Sequence, residues 1–202
     1  MATDFTEIPP AAFDVVILNS VVQYFPSVDY LMQVLEGAIQ AVAPKGVLFI
    51  GDVRSLPLLT AFHTWMHFTQ AEPGLERIQL WQKVERSRFE EPELAIDPLF
   101  FNALRNRFPR IQRVQIRLTR GRGHNEMTQF RYNVLLHMDE AATVTSIPWR
   151  NWQQQPLSVT NVQNHLLETE PEFFGISNVT NSRVNAAVKT ADWLFHQSSP
   201  KT

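Results

Sequence analysis

Residues 13–52 read FDVVILNSVVQYFPSVDYLMQVLEGAIQAVAPKGVLFIGD. Phe13, Val15, Val16, Ile17 and Leu18 form an apolar run, and Val47, Leu48, Phe49 and Ile50 form a second. Runs of this kind suit strands of a parallel sheet buried on both faces. Between them Leu31, Val34, Leu35, Ala38, Ile39 and Val42 recur at helical spacing. Ser27 stands where a helix N-cap is needed, and Pro44-Lys45-Gly46 reads as a turn. The stretch is therefore a βαβ unit, with a right-handed crossover expected. Its strands end in polar residues, Asn19 and Ser20 after the first and Asp52 and Arg54 after the second. Ligands of open parallel sheets bind beyond the carboxyl ends of the strands, so these residues mark the expected site.

Outward from this unit, Leu56 to Phe68 reads as a helix, Gly74 interrupts, and Leu75 to Phe89 reads as a more charged helix. Glu90-Glu91-Pro92-Glu93 breaks it. Asp97-Pro98 opens another helix, with the Asp as cap and Pro at the first helical position, and Pro109 closes it. Val114 to Thr119 alternates apolar and polar residues as a strand does. GRGHNEMT (121–128) reads as a loop, and Phe130 to His137 as the strand that pairs back. This yields four core strands. From 141 onward the texture is irregular, with helices expected at Val159–Leu167 and Ser182–His196 and a strand at Phe173–Val179. Residues 1–140 are read as one domain with a helical cap at about 56–95, and 141–202 as an appended small subdomain.

The chain of 202 residues is 44% hydrophobic, enough for a substantial core, and its net charge of −2 argues against nucleic acid as the main partner. It has no cysteine, which excludes disulfides, thiolate metal sites and a cysteine nucleophile. No apolar run reaches the roughly 18 residues of a membrane span, and no secretory signal is visible. A cytoplasmic location without membrane association is expected. His63 and His67 stand four apart on one helix face, but no HExxH glutamate lies between them, and no metal is expected. Arg105, Arg107, Arg110, Arg113, Arg117, Arg120, Arg122 and Arg131 form a basic series that suits a solvated face or a phosphate-bearing partner.

The segments ILNSVVQYFPSVDYL (17–31), FIGDVRSLPLL (49–59) and FRYNVLLH (130–137) resemble the second half of a class I S-adenosylmethionine-dependent methyltransferase. The resemblance is nearest to the N-methyltransferase domains of nonribosomal peptide synthetases, and it runs from Ala2 to about Leu194. It implies an α/β, Rossmann-like sheet of which this chain holds the last four strands. It implies S-adenosylmethionine as donor and an aminoacyl or peptidyl amine, held on a carrier protein by phosphopantetheine, as acceptor. Transfer to oxygen or carbon is the alternative within the same chemistry. A non-catalytic remnant or interaction module is the alternative outside it.

The same resemblance distributes roles. Asp4 and Phe5 stand where an adenine contact is expected, and Asn19 and Ser20 beside the donor. Asn19, Tyr24, His124 and Glu126 are the candidate catalytic residues, and Asp52, Arg54 and His63 the candidate substrate contacts. Asp52 and Arg54 are expected to pair with one another. Gly123 stands where the family usually has a tyrosine, a departure that bears on the role of His124. The glycine-rich cofactor loop has no counterpart here, since the seven glycines are scattered. The resemblance thus predicts an unpaired edge at the Phe13–Leu18 strand. A missing N-terminal half, supplied as a separate polypeptide, would cover it. A truncated product or self-association through the bare edge are the competing expectations.

Overall fold

In the computed structural model, which describes residues 1–139, 147–154 and 157–196, the chain divides into two units. The first holds the segments 1–139 and 183–196, and the second lies within 147–182. The fold is α/β, of Rossmann-like type, built on a mixed sheet.

The βαβ unit forms as its sequence dictates. Strand β1 (Phe13–Asn19) leads through a short 3-10 turn (Val22–Tyr24) to α1 (Val28–Ala41), and β2 (Val42–Ser55) follows. Ser27 Oγ accepts the Tyr30 N–H at 3.2 Å and Asp29 sits in the first turn, so both hydrogen bonding and the helix dipole favour this start. The Pro-Lys-Gly segment is not a separate turn but a bulge within β2. The parallel register jumps from Phe13↔Val42 to Val15↔Val47, and Lys45 takes a left-handed φ of 64°.

Helices α2 (Leu59–Thr69) and α3 (Arg77–Phe89) come next, then the two-residue strand β3 (Ala95–Ile96), α4 (Pro98–Arg107) and β4 (Ile111–Leu118). Asp97 caps α4 by accepting the Leu99 N–H at 2.8 Å. The segment expected to be a loop contains a single-turn helix, α5 (Glu126–Gln129), because Asn125 and Thr128 form a reciprocal capping box. Strand β5 (Arg131–Met138) completes the sheet. The order is β1-β2-β5-β4, with β3 beside β2. β1 and β2 are parallel, and β5 is antiparallel to both β2 and β4. β4 therefore points the same way as β1 and β2, and the segment after it opens on the same edge of the sheet.

Two rows of side chains follow from the register. Leu18, Ile50, Val134 and Ile116 share one face, and Ile17, Phe49, Leu135 and Gln115 the other. Within the first unit, α1 and α4 cover the first face, where Leu31, Leu35, Leu48, Ile50, Phe101, Val134 and Leu136 are fully buried. Each such large apolar side chain contributes roughly 1.5–3 kcal/mol by leaving water. β1 departs from the expectation of a strand buried on both faces. Among the described residues it ends the sheet with β2 as its one neighbour, and it leaves Phe13, Val15 and Ile17 exposed, Ile17 by 63%.

The expected appended segment is divided. Helix α7 (Asn185–His196) belongs to the first unit, where Val184, Ala187 and Ala191 pack with Ala61, Phe62 and Phe130. Amphipathic spacing alone gives a helix a buried face but not the surface it will meet. The second unit holds β6 (Trp149–Asn151), which sequence reasoning missed, α6 (Val159–Thr169) and β7 (Gly175–Ser177). β6 and β7 pair in parallel. The boundary expected at 140–141 lies outside the described residues.

Candidate functional site

The carboxyl ends of β1 and β2 lie side by side, with Asn19 opposite Gly51. Ser20 N–H donates to the Gly51 carbonyl at 3.2 Å, and Ser20 Oγ donates to Asp52 Oδ2 at 2.9 Å. Asn19 Nδ2 donates to Ser20 Oγ at 3.1 Å. Ser20 and Asp52 both hold left-handed backbones, with φ of 56° and 70°. Such conformations are costly for residues with a Cβ and concentrate where the surrounding structure imposes them.

A bulge explains Asp52. The β2–β5 register runs from Ile50↔Val134 to Val53↔Tyr132, so Gly51 and Asp52 together face Asn133. The Asp52 N–H that leaves the ladder donates instead to Asn133 Oδ1 at 2.9 Å. Gly51 lets the Asn19 side chain approach closely. A Cβ there would stand 2.0 Å from Asn19 Oδ1. Asn19, Ser20, Asp52 and Asn133 thus form one polar chain across three strands, with Asp52 itself buried.

Arg54 corrects an expectation. It does not pair with Asp52. Its Nε donates to Glu93 Oε2 at 2.6 Å and its Nη2 to Glu126 Oε1 at 2.7 Å, with Glu91 Oε1 at 3.8 Å from Nε. Arg54 lies directly opposite Arg131 in the antiparallel β2–β5 pair. Like charges so placed repel, and the pair is stable only with anions between them. Glu93 and Glu126 supply these, since Arg131 Nη2 meets Glu93 Oε2 at 3.0 Å and Glu126 Oε1 at 2.5 Å. Burial opposes the Arg131 charge, but hydrogen bonding and attraction from Glu126, then Glu93 and Asp52, outweigh it and raise its pKa. The Arg54 guanidinium also lies 4.5 Å above the Phe62 ring.

The two helix histidines each join α2 to the segment that follows it. His63 Nε2 meets Glu91 Oε2 at 2.8 Å, and His67 Nε2 meets Ser87 Oγ at 2.8 Å. Burial lowers the His63 pKa, Glu91 opposes this, and Arg54 adds to the lowering. Among the described residues no group of three or more His, Cys, Asp or Glu could hold a metal ion. Likewise no helix among them is long and apolar enough to cross a membrane.

The other candidate residues are distributed unevenly. Tyr24, at the end of the 3-10 turn that follows Ser20, is 70% exposed. His124 is exposed in the segment between β4 and α5, two residues before Glu126, which is drawn into the arginine cluster. Asp4 and Phe5 are not brought to this end. Phe5 packs against Gly37 of α1 and lines an apolar groove of about 220 Å³ with Ile8, Phe13, Val15, Val16 and Ala41. The groove follows β1 from Phe13 to Val16, roughly 10–20 Å along the strand from Asn19 at 3.3 Å per residue. The Asp4 carboxylate accepts from Thr6 N and Thr6 Oγ1, and the side-chain bond is the larger cause of its lowered pKa.

The arginine series does not act as one patch. Arg131 is buried in the ionic cluster, while Arg110 donates to Asp139 and to the carbonyls of Ile39 and Val42. Arg113 and Arg117 lie in register with His137 and Asn133 on the face that α1 and α4 leave uncovered. Sequence reasoning missed Glu91, Glu93 and Asn133. The run Glu90-Glu91-Pro92-Glu93 reads as a helix breaker, and only the density of carboxylates beside buried arginines hints at a second role.

No family model matches the chain. Comparison with curated proteins finds nonribosomal peptide synthetases. Chondramide synthase of Chondromyces crocatus is 40% identical over 199 residues, covering 96% of this chain and 5% of its own length. A probable non-canonical nonribosomal peptide synthetase of Salinispora arenicola is 35% identical over 193 residues, covering 96% of this chain and 2% of its own. A nonribosomal peptide synthetase of Aspergillus flavus is 30% identical over 204 residues, covering 96% of this chain and 3% of its own. The chain thus spans 5% or less of the length of each of these curated relatives. Along nearly all of its length, this chain is similar to one small region of nonribosomal peptide synthetases.

Proposed function

We propose that the chain forms the acceptor side of an S-adenosylmethionine-dependent methyltransferase region that N-methylates carrier-bound aminoacyl or peptidyl groups in nonribosomal peptide biosynthesis. The observation that carries this reading is the Ser20–Asp52 hydrogen bond, made between two left-handed residues at the carboxyl ends of adjacent parallel strands. The similarity to synthetases supplies the biosynthetic context.

The described residues suit the reacting end of such a site better than the cofactor end. Asn19, Ser20 and Asp52 offer hydrogen-bond acceptors where an amine could be oriented. The Asp4 carboxylate is taken up by Thr6, and Phe5 packs beside Phe13, Val15 and Val16, toward the start of β1. The donor, when bound, supplies an electrophilic methyl group. The chain's own contribution is alignment, which can be worth roughly 7–11 kcal/mol in a displacement of this kind. An amine attacks only when neutral, so a carboxylate that receives its proton, directly or through water, assists; in this reading Asp52 takes that role, with Glu126, held by Arg54 and Arg131, as the other candidate. The donor's remaining contacts would come from a second polypeptide segment, seated against the β1 edge.

The test is transfer of a labelled methyl group to the amine of a carrier-bound aminoacyl thioester, by this chain together with a polypeptide carrying the glycine-rich half. Label on nitrogen that requires both components is expected. Label on oxygen or carbon would reassign the acceptor, and transfer independent of this chain would end the reading.

A second reading, an interaction module without catalysis, is favoured by the exposed Phe13, Val15 and Ile17 on an unpaired edge. It predicts tight association with a partner, or with a second copy, and no methyl transfer in the same assay.

A further inference from the structure

The cluster around Arg54 and Arg131 has a feature that neither arginine would need for stability alone. Both carboxylates bridge both cations. Glu93 Oε2 lies 2.6 Å from Arg54 Nε and 3.0 Å from Arg131 Nη2. Glu126 Oε1 lies 2.7 Å from Arg54 Nη2 and 2.5 Å from Arg131 Nη2. The charges alternate around a closed ring, and the two arginines are 5% and 7% exposed. Glu93 and Glu126 stand in different segments, 90–96 after α3 and 119–126 after β4. Both segments open on the carboxyl edge of the sheet. The ring also reaches α2, because Glu91, two residues from Glu93, holds His63 and lies beside Arg54.

We propose that this ring couples the two segments into one unit, so that Arg54, Arg131 and Glu93 are positioning residues for Glu126 and the His124 segment. The proposal rests on the functional reading above only for its catalytic consequence. Its physical basis is independent. Removing Glu93, 16% exposed, or Glu126, 33% exposed, leaves a buried arginine charge short of one partner, whereas removing a neutral pair does not. A ring therefore transmits the loss of Glu93 to Glu126 through both arginines at once. By linkage the effect is reciprocal.

Hydrogen exchange on the whole chain tests the coupling. Glu93→Gln should speed exchange in 120–129 as well as in 90–96, by about tenfold or more, as expected for local opening. Glu126→Gln should do the same in 90–96. The double variant Glu93→Gln/Arg131→Met removes one anion and one cation; it should stay folded and leave 120–129 insensitive to a further change at Glu91. If each single variant loosens only its own segment, the coupling is wrong. If Glu93→Gln unfolds the chain, the comparison passes to Glu93→Asp, which keeps the charge but shortens the reach. Exchange that then rises in 90–96 alone also overturns the proposal, and a rise in both segments supports it.

In the methyl-transfer assay, Arg131→Lys and Glu93→Gln should lower kcat with little change in the donor's Kd, since a lysine ammonium lacks the planar guanidinium fork that holds the two carboxylates in fixed geometry. A shift confined to KM, with kcat intact, would count against a positioning role. Absence of methyl transfer by the parent would overturn the functional reading while leaving the exchange result to decide the coupling.

Discussion

Ser20 donates to Asp52 at 2.9 Å while both residues hold left-handed backbones. Neither is glycine, so each carries a steric cost of order 1 kcal/mol that glycine would not. Two substitutions separate strain from chemistry. Asp52→Ala keeps the strain and the backbone bond to Asn133 but loses the Ser20 hydrogen bond, and should destabilise the fold by roughly 1–2 kcal/mol. Asp52→Gly relieves the strain and should cost clearly less. Both should lose methyl transfer if the carboxylate is used. Urea unfolding midpoints give the first comparison and turnover the second; equal activity in Asp52→Gly and the parent would remove Asp52 from the chemistry.

Gly51 sits where a Cβ would meet Asn19 Oδ1 at 2.0 Å. Gly51→Ala should therefore displace the Asn19 side chain or open the β1–β2 ends, costing roughly 1–3 kcal/mol as overpacking does. The chemical shifts of the Asn19 side-chain amide should move, and those of Gly37, in α1, should not. An unchanged Asn19 signal would show that the strands yield instead.

His63 gives the fold an acid sensitivity whose sign is fixed by its surroundings. Its pKa is lowered chiefly by burial, partly offset by Glu91, from an ordinary value of 6.5. The unfolded chain therefore binds more protons than the folded one as pH falls below about 6.5, and stability drops through that window. His67 is shifted the same way, by burial and then by Lys83. His63→Gln should flatten the dependence of the unfolding midpoint between pH 7.5 and 5.5, leaving the share due to His67. An unaltered slope would show that His63 is not the group responsible.

How much of this was legible in the sequence depends on how local each feature is. Ser27 and Asp97 could be read as caps because the groups they satisfy lie two or three residues away. The βαβ unit followed from apolar spacing. The pairing of Arg54 did not follow, because its partners lie 39 and 72 residues distant and are brought in by the segments after α3 and β4. Asp52 and Arg54 look like neighbours on one strand face, but the bulge at Gly51–Asp52 turns Asp52 toward Ser20. The apolar run of β1 reads like a central strand. The open edge came from the family resemblance instead, and among the described residues β1 pairs with β2 alone.

The β1 edge supports a prediction about association. Ile17 is 63% exposed, so Ile17→Lys should change stability by less than about 0.5 kcal/mol. Charge on an edge strand blocks strand addition. The variant should therefore lose self-association, or binding to a polypeptide that carries the glycine-rich half. Sedimentation of parent and variant over a range of concentrations checks this. If both behave alike, with and without that polypeptide, the edge is not the interface.

The last prediction concerns turnover in the assembled enzyme. Asn19 stands at the end of β1, hydrogen-bonded to Ser20, and Tyr24 follows with its ring exposed toward solvent. In the proposed reaction their contacts matter most as the amine is aligned with the methyl group, so losing them affects the transition state more than the ground state. Asn19→Ala and Tyr24→Phe should lower the single-turnover rate more than they weaken donor binding. His124→Ala should do less. His124 is exposed, and its segment is held through Glu126, which its loss leaves in place. Single-turnover rates and donor Kd values for the three variants decide between the strand end and the late segment. Full turnover in Asn19→Ala and Tyr24→Phe, with none in His124→Ala, would move the acceptor site to the segment between β4 and α5.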